Sequence, residues 1–239
     1  MRFKDLFIDF DDTIYDTHGN AVIALQEFFE HYGLGRFFAE PSVFYDAFWS
    51  ANYELWHQYA LGQIDRPYLM VERIRRPLAA GIQADGTPYA PTQAQCMEMS
   101  DKYLDLCADK PGTVDGAHQL LEYLKRRGYK MHLCSNGFHE VQYRKLRASD
   151  TLRYFDTIIL SEDAGANKPQ QAFFDYAMKT AHADRETTIM IGDNYETDIR
   201  GAKQAGLHTI FFNNNHAWQV DATDADYEVY ALDAIKELL

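Results

Sequence analysis

The sequence predicts an α/β protein: a doubly wound parallel sheet with an all-helical domain inserted after strand one. Three observations predict it. From about Pro111 onward, short apolar stretches alternate with helical patterns, as βαβ units require. One further strand-like stretch, Leu6–Phe10, stands alone near the N-terminus. Between the two, roughly Asn20 to Cys107 reads as helix after helix.

Leu6–Phe10 has the length and composition of a buried strand and contains no Gly or Pro. It runs into carboxylates, Asp9, Asp11 and Asp12, followed by Thr13. Unpaired buried charge is costly, so a buried strand does not ordinarily finish on acids. A single Asp there reads as a solvated turn residue. Two read differently. In a chain that stays extended, Asp9 and Asp11 leave on the same face. Carboxylates that close repel unless a cation lies between them or one takes a proton. A hard divalent cation held by oxygens, such as Mg²⁺, meets that need.

The helical block follows. Ala21–Tyr32 carries Val22, Leu25, Phe28 and Phe29 at helical spacing. Ser42 is placed to cap a second helix that runs to about Leu61, and a third runs from near Pro67 to about Ala80. Pro88 and Pro91 punctuate a loop, after which Thr92 caps a fourth helix ending near Cys107. Beyond Pro111, a helix over Ala117–Arg127 stops at Gly128. Then come strand Lys130–Cys134, helix Phe138–Leu146, strand Thr157–Leu160, and a helix over about Gln170–Thr180 opened by Pro169. Strand Thr188–Ile191, helix Ile199–Ala205 and strand His208–Phe212 complete the alternation. The acidic stretch Asp221–Asp226 reads as a surface loop before a last strand, Tyr227–Tyr230, and a helix. Parallel connections are right-handed, so helices are expected on both faces of the sheet. The expected domains are 1–16 with 109–239 for the α/β core, and 17–108 for the helical insert.

Composition narrows the function. The 239 residues are 46% apolar, enough for a proper core. A net charge of −13 repels nucleic-acid backbones and anionic membranes, which disfavours a broad DNA or RNA interface. A metal and one local Lys can still invert the field inside a pocket. Cys96, Cys107 and Cys134 are odd in number and lack metal-ligand spacing, so they read as buried thiols of a reducing compartment. Neither a signal peptide nor an apolar run long enough to span a bilayer is visible, and the expected location is the cytoplasm.

In open parallel sheets, ligands bind beyond the carboxyl ends of the strands. Asp9, Asp11 and Thr13 follow the first strand, and Ser135, Asn136 and Gly137 the second. Lys168-Pro169 lies in the loop after the third, and Gly192, Asp193 and Asp198 follow the fourth. Each has an ordinary reading alone: a turn, a solvated lysine, an acid near a helix start. Pro169 biases Lys168 toward extended backbone and suits the first turn of the next helix. Lys168 is therefore expected at a helix N-terminus, where anions are welcome. Together, these groups gather on one rim everything suited to handling a phosphate on a metal.

On these residues the chain resembles the haloacid dehalogenase superfamily of hydrolases. Asp9-Phe10-Asp11-Asp12-Thr13 matches that family's Asp-x-Asp-x-Thr, Ser135 its second motif and Lys168 its third. Gly192-Asp193-Asn194-Tyr195-Glu196-Thr197-Asp198 matches its Gly-Asp-x-x-x-x-Asp fourth. The resemblance covers the whole α/β part, implies a Rossmann-like core, and puts the insert where the family carries a helical cap. It implies phosphoryl transfer through an aspartyl-phosphate, with Asp9 as nucleophile and Asp11 as acid and base. It further implies Mg²⁺ held by Asp9, the Asp11 carbonyl and Asp193, with Asp198 orienting the metal site and Thr13 the first loop. Ser135 and the Asn136 N–H would grip phosphate oxygens, and Lys168 would offset charge on the phosphate and on Asp9. Dehalogenases of this family lack an acid at the place of Asp11, because halide leaves without a proton; a phosphatase is therefore expected.

Ser135-Asn136-Gly137-Phe138 and Asn167-Lys168-Pro169, with Phe173-Phe174-Asp175-Tyr176-Ala177 soon after, are similar to the pyrimidine 5′-nucleotidase branch. The implied partner is a small phosphorylated metabolite, a nucleoside 5′-monophosphate first, and neither a nucleic-acid polymer nor a membrane. A sugar phosphate, phosphoglycolate and FMN are alternatives, and a phosphomutase would share all these residues. The non-enzyme alternative is a phospho-ligand binding module on a disabled hydrolase fold, against which the complete set of acids argues. In the second helix, Phe44, Tyr45, Phe48, Trp49, Tyr53, Trp56 and Tyr59 are expected mostly to pack among helices, leaving one or two to stack on a flat group. His132, His139, His182 and His216 are assigned no chemistry, and no oligomeric state is legible.

Overall fold

Strand β1 occupies Asp5–Ile8 and is an inner strand of a six-stranded sheet in the computed structural model, which describes residues 2–214 and 224–239. The others are β2 (Lys130–Ser135), β3 (Thr157–Leu160), β4 (Thr188–Gly192), β5 (His208–Phe212) and β6 (Tyr227–Val229). Their order is β3-β2-β1-β4-β5-β6, and every pairing is parallel. Ile8 stands opposite Leu133 on one side and Ile191 on the other. The chain builds outward from β1 through β2 to β3, then returns to place β4 on the other side of β1. That reversal creates a switch point between β1 and β4, where such sheets bind ligands.

The core is distributed over both faces, as alternation along a strand demands. Leu6 and Ile8 join a cluster with Leu121, Leu133, Ile191 and Phe212, whereas Phe7 joins Phe173, Phe174, Met190 and Ala202. β1 stops at Ile8, earlier than Leu6–Phe10 anticipated, because the Phe10 carbonyl accepts from the N–H groups of Ile14 and Tyr15 and turns the chain.

The chain divides into two compact units, residues 1–18 with 110–239, and residues 19–109. The helices that supply the second are α1 (Thr17–His31), α2 (Pro41–Ala60), α3 (Arg66–Leu78) and α4 (Gln93–Ala108). Its core is made by Leu25, Phe28, Phe44, Phe48, Ile74 and Tyr103, among others. Val22 is 37% exposed and lies off the buried face of α1, which Asn20, Ala21 and Ala24 occupy instead. Ser42 does not cap α2; Pro41 takes the first helical position, where no N–H is needed, and Ser42 lies inside the helix. Asp65 caps α3 by accepting from the Tyr68 N–H, and Thr92 caps α4 as anticipated. Phe44 and Phe48 are wholly interior, Tyr45 and Trp49 are partly buried against them, and Tyr53 is 65% exposed. Packing therefore accounts for the inner half of the aromatic stripe.

In the α/β unit, α5 (Ala117–Arg126) covers one face through Leu120, Leu121 and Leu124, and ends before Gly128 at φ +83°. Next come α6 (His139–Ala148), the short α7 (Ser161–Ala164) and α8 (Gln171–Ala181), whose Phe173, Phe174 and Ala177 cover the opposite face. The helix anticipated over Ile199–Ala205 begins earlier, as a π-helical turn over Tyr195–Arg200 that runs into α9 (Gly201–Gln204). The chain closes with α10 (Ile235–Leu238). Of the acidic stretch, residues 221–223 lie outside the described residues, as does His216. Asp226 is no free surface acid: it accepts from the Thr209 N–H at 2.8 Å and pairs with Lys203 at 2.9 Å. All three cysteines are buried and unbridged. Among the described residues no helix is long and apolar enough to cross a membrane.

The α4 cap is reciprocal. Thr92 Oγ1 accepts from the Gln95 N–H at 3.3 Å, and the Gln95 side chain accepts from the Thr92 N–H at 2.9 Å. Thr92→Ala is expected to destabilise the protein by about 1 kcal/mol, read as a lowered urea midpoint at unchanged slope.

Candidate active site

The site is built at the carboxyl ends of β1, β2 and β4. Asp9 directly follows β1, and its N–H still donates to the Ile191 carbonyl at 2.9 Å, extending the ladder by one residue. Beyond Phe10 the chain turns, and Asp12 adopts φ 59° in the left-handed region, which Asp tolerates better than most residues. The extended continuation that would have put Asp9 and Asp11 side by side is therefore absent. The two carboxylates engage different partners.

Asp9 belongs to a buried cluster. Lys168 Nζ lies 2.6 Å from Asp9 Oδ1 and 2.7 Å from Asp198 Oδ1, and donates to the Cys134 carbonyl at 2.8 Å. All three ammonium hydrogens thus have acceptors, and the residue is 2% exposed. Asn136 fixes the Lys168 backbone: its Oδ1 accepts from the Lys168 N–H at 2.8 Å, and its Nδ2 donates to the Lys168 carbonyl at 2.9 Å. Pro169 was expected in the first turn of the next helix, but it precedes the cap of α8, and Lys168 stands two residues before that cap. The Lys168–Pro169 bond is cis, Gln170 is the cap of α8, and the ammonium turns to carboxylates.

Asp193 follows β4 and is held by Thr13, whose Oγ1 accepts from the Asp193 N–H and donates to Asp193 Oδ1, both at 3.1 Å. Asp198, on the π-helical turn, accepts from the Asn194 N–H at 3.1 Å. Gly192 permits this approach, because a Cβ there would fall 2.3 Å from Asp198 Oδ2. One oxygen each from Asp9, Asp193 and Asp198 lies within 4.8 Å of the others.

Three clustered carboxylates, only two of them paired with the one ammonium, leave an excess of negative charge. Burial first, then the charges of Asp198 and Asp11, push the Asp9 carboxyl up to about 7 against the pull of Lys168. Burial, followed by the charges of Asp9 and Asp198, holds Asp193 well above the usual carboxylate range. Oxygen donors in surplus over cations are the chemistry a hard divalent ion requires, and the cluster fits one.

Asp11 lies outside that carboxylate cluster. Its Oδ1 takes Lys145 Nζ and Thr17 Oγ1, each at 2.6 Å, and its Oδ2 takes Gln142 Nε2 at 2.6 Å and Ser135 Oγ at 3.4 Å. Burial acts to raise its carboxyl, but the charge and hydrogen bond of Lys145, with the hydrogen bonds of Thr17 and Gln142, carry it below the ordinary value. Ser135, at the end of β2, also accepts from the Gly137 N–H at 3.0 Å.

The structure thus joins Asp9, Asp193, Asp198, Lys168 and Thr13 in one network through hydrogen bonds and close approach, and Asp11 with Ser135 in a second. Asn136 contributes its side chain to positioning Lys168. Thr17, Gln142 and Lys145 were not anticipated. A signal for Lys145 was present: on α6 it shares the buried stripe with Val141, Gln142 and Leu146, and a cation on such a stripe calls for a partner.

The chain is similar to several known proteins. A family model described as haloacid dehalogenase-like hydrolase matches residues 4–206. The chain is 28% identical over 241 residues to the pyrimidine 5′-nucleotidase PynA of Streptococcus pneumoniae, covering 100% of this chain and 96% of that one. It is 29% identical over 240 residues to the pyrimidine 5′-nucleotidase YjjG of Escherichia coli, covering 100% and 99%. Among solved structures, the HAD-hydrolase YfnB of Bacillus subtilis bound to magnesium matches with a TM-score of 0.85 at 27% identity, covering 100% and 99%.

The raised Asp9 carboxyl has a measurable consequence. Between its ordinary value near 3.8 and its folded value of about 7, the unfolded state has lost the proton that the folded state keeps. The folded state binds more protons, so this group makes stability fall as pH rises through that window. In chelator, Asp9→Asn is expected to gain stability relative to wild type between about pH 5 and about pH 7, measured by urea unfolding. A difference independent of pH would refute the burial account.

Proposed function

The chain belongs to the haloacid dehalogenase-like hydrolases, and from that premise we propose that it is a Mg²⁺-dependent phosphatase acting on a nucleoside 5′-monophosphate. The observation that carries the reading is the meeting of Asp9, Asp193 and Asp198 at the switch point of the sheet, with a single ammonium paired to Asp9 and Asp198. Residues 1–16 with 109–239 form the catalytic core and residues 17–108 the cap domain. Asp9, the Asp11 backbone carbonyl and Asp193 hold the ion, with Asp198 orienting the site. When bound, Mg²⁺ supplies the positive charge that lets an anionic nucleophile approach an anionic phosphate.

The steps at this chain's own residues are these. An Asp9 oxygen attacks phosphorus, and the bond from phosphorus to the leaving oxygen breaks with its electron pair. Asp11 delivers a proton to that oxygen, releasing an alcohol and leaving phosphate on Asp9. Water then attacks phosphorus, Asp11 takes its proton, and the bond to Asp9 breaks to free inorganic phosphate. Ser135 and the Asn136 N–H hold phosphate oxygens, Lys168 offsets the charge gathered on Asp9 and the phosphate, and Thr13 steadies the first loop. Two relatives named as pyrimidine 5′-nucleotidases, each matched over 100% of this chain, support the choice of substrate class.

Hydrolysis of para-nitrophenyl phosphate is expected to require Mg²⁺ and to stop in EDTA; activity indifferent to chelation would remove the metal. Asp9→Asn should abolish turnover with the fold retained, and Asp11→Asn should lower it about 10²- to 10⁴-fold. Wild-type turnover by Asp9→Asn would exclude it as nucleophile. A screen of nucleoside monophosphates, sugar phosphates, phosphoglycolate and FMN is expected to rank pyrimidine nucleotides first. A bisphosphate requirement with phosphate kept in the product would mark a mutase.

A further inference from the structure

Two side chains of α6 reach the site without belonging to any of the motifs. Gln142 is fully buried, and its Nε2 donates to Asp11 Oδ2 and to Ser135 Oγ, both at 2.6 Å. Its Oε1 is buried with no hydrogen-bond partner, so the amide is oriented by its donor end alone. The chain leaves it no slack: a Cβ on Gly137 would fall 2.4 Å from the Gln142 side chain. Lys145 is also buried, with Nζ 2.6 Å from Asp11 Oδ1 and 5.0 Å from the centre of the Tyr15 ring. Asp11 is the only carboxylate paired with this ammonium among the described residues.

Burying an ammonium is costly, and a solvated lysine on the outer face of α6 would serve the fold as well. The arrangement makes sense as a device for Asp11. Thr17 binds Oδ1 beside Lys145, while Gln142 and Ser135 bind Oδ2, so the carboxyl is gripped at both oxygens by residues of its own unit.

We propose that Lys145 and Gln142 are positioning residues for Asp11, holding its carboxyl group in the rotamer from which it exchanges a proton with the leaving oxygen. This rests on the phosphatase reading, with Asp11 as the acid. In that step the proton passes from Asp11 to the leaving oxygen as the phosphorus–oxygen bond breaks. Lys145 and Gln142 keep their own protons and act only through Asp11.

A leaving group that needs no proton does not need the acid in place. The test compares kcat/KM, which reports the steps through departure of the leaving group, for phenyl phosphate and para-nitrophenyl phosphate. Lys145→Gln is expected to lose about 10²-fold or more on phenyl phosphate but less than about tenfold on para-nitrophenyl phosphate. Lys145→Arg should restore most of the loss, and Gln142→Met should show the same split at smaller size. Circular dichroism and thermal unfolding establish that each variant is folded; if Lys145→Gln is not, Gln142→Met and Lys145→Arg decide. Equal losses on the two compounds, or none, would overturn the inference while leaving the phosphatase reading intact. A wild-type protein inert toward both compounds would overturn the phosphatase reading itself, and the inference with it.

Discussion

The ammonium of Lys168 is what the site is arranged around. It is buried, so it must find an acceptor for each hydrogen, and the acceptors come from three separate stretches of chain: Asp9 after β1, Cys134 within β2 and Asp198 beyond β4. Burial would lower its affinity for a proton, but Asp198 and Asp9 more than reverse that, and the group stays charged. A cation so placed fixes the relative positions of the strand tips more strictly than apolar packing does, because hydrogen bonds have direction and contacts do not. The Asn136 clamp and the glycine at position 192 follow from it: one holds the lysine backbone, the other lets Asp198 come close.

One cation is not enough for the carboxylates present. The surplus is visible in the two acids of the first motif, which begin with the same intrinsic chemistry and end in opposite electrostatic conditions. Asp9, among like charges and buried, is driven upward; Asp11, facing Lys145 and three further donors, is driven downward. The separation is one of environment alone, since the two side chains are chemically identical. Here it is achieved by the turn at Phe10, which sends the second acid toward α6 and leaves the first with β4.

The helical unit is held together by different means. Phe28, Phe29, Phe44 and Phe48 pack with Tyr103 in an aromatic core in which ring pairs stack or meet at an angle, with centroids about 5–6 Å apart. Arg73 is buried there beside Ser100 and over the Tyr103 ring, with no carboxylate paired to it among the described residues, and burial brings its guanidinium down to about 10.

Much of this was determined by the sequence alone. Apolar period and turn residues located all six strands to within two residues at either end, because a parallel sheet buried on both faces admits only short apolar runs bounded by breakers. The motif acids, Ser135 and Lys168 were visible because they follow successive strands on the rim where such sheets bind ligands, although each alone has an ordinary reading. What only the tertiary structure decided was which of these groups touch. A strand-end acid has no partner in a linear reading, so the turn that parts Asp11 from Asp9 and the use of Asn136 to grip the lysine backbone could not be read there. The partner of Lys145 was hidden for a related reason: its place on the apolar stripe of α6 was a signal, but a lysine on a helix is ordinarily solvated. The fact that overrides the ordinary expectation, a carboxylate 134 residues away in sequence, exists only once the sheet has formed.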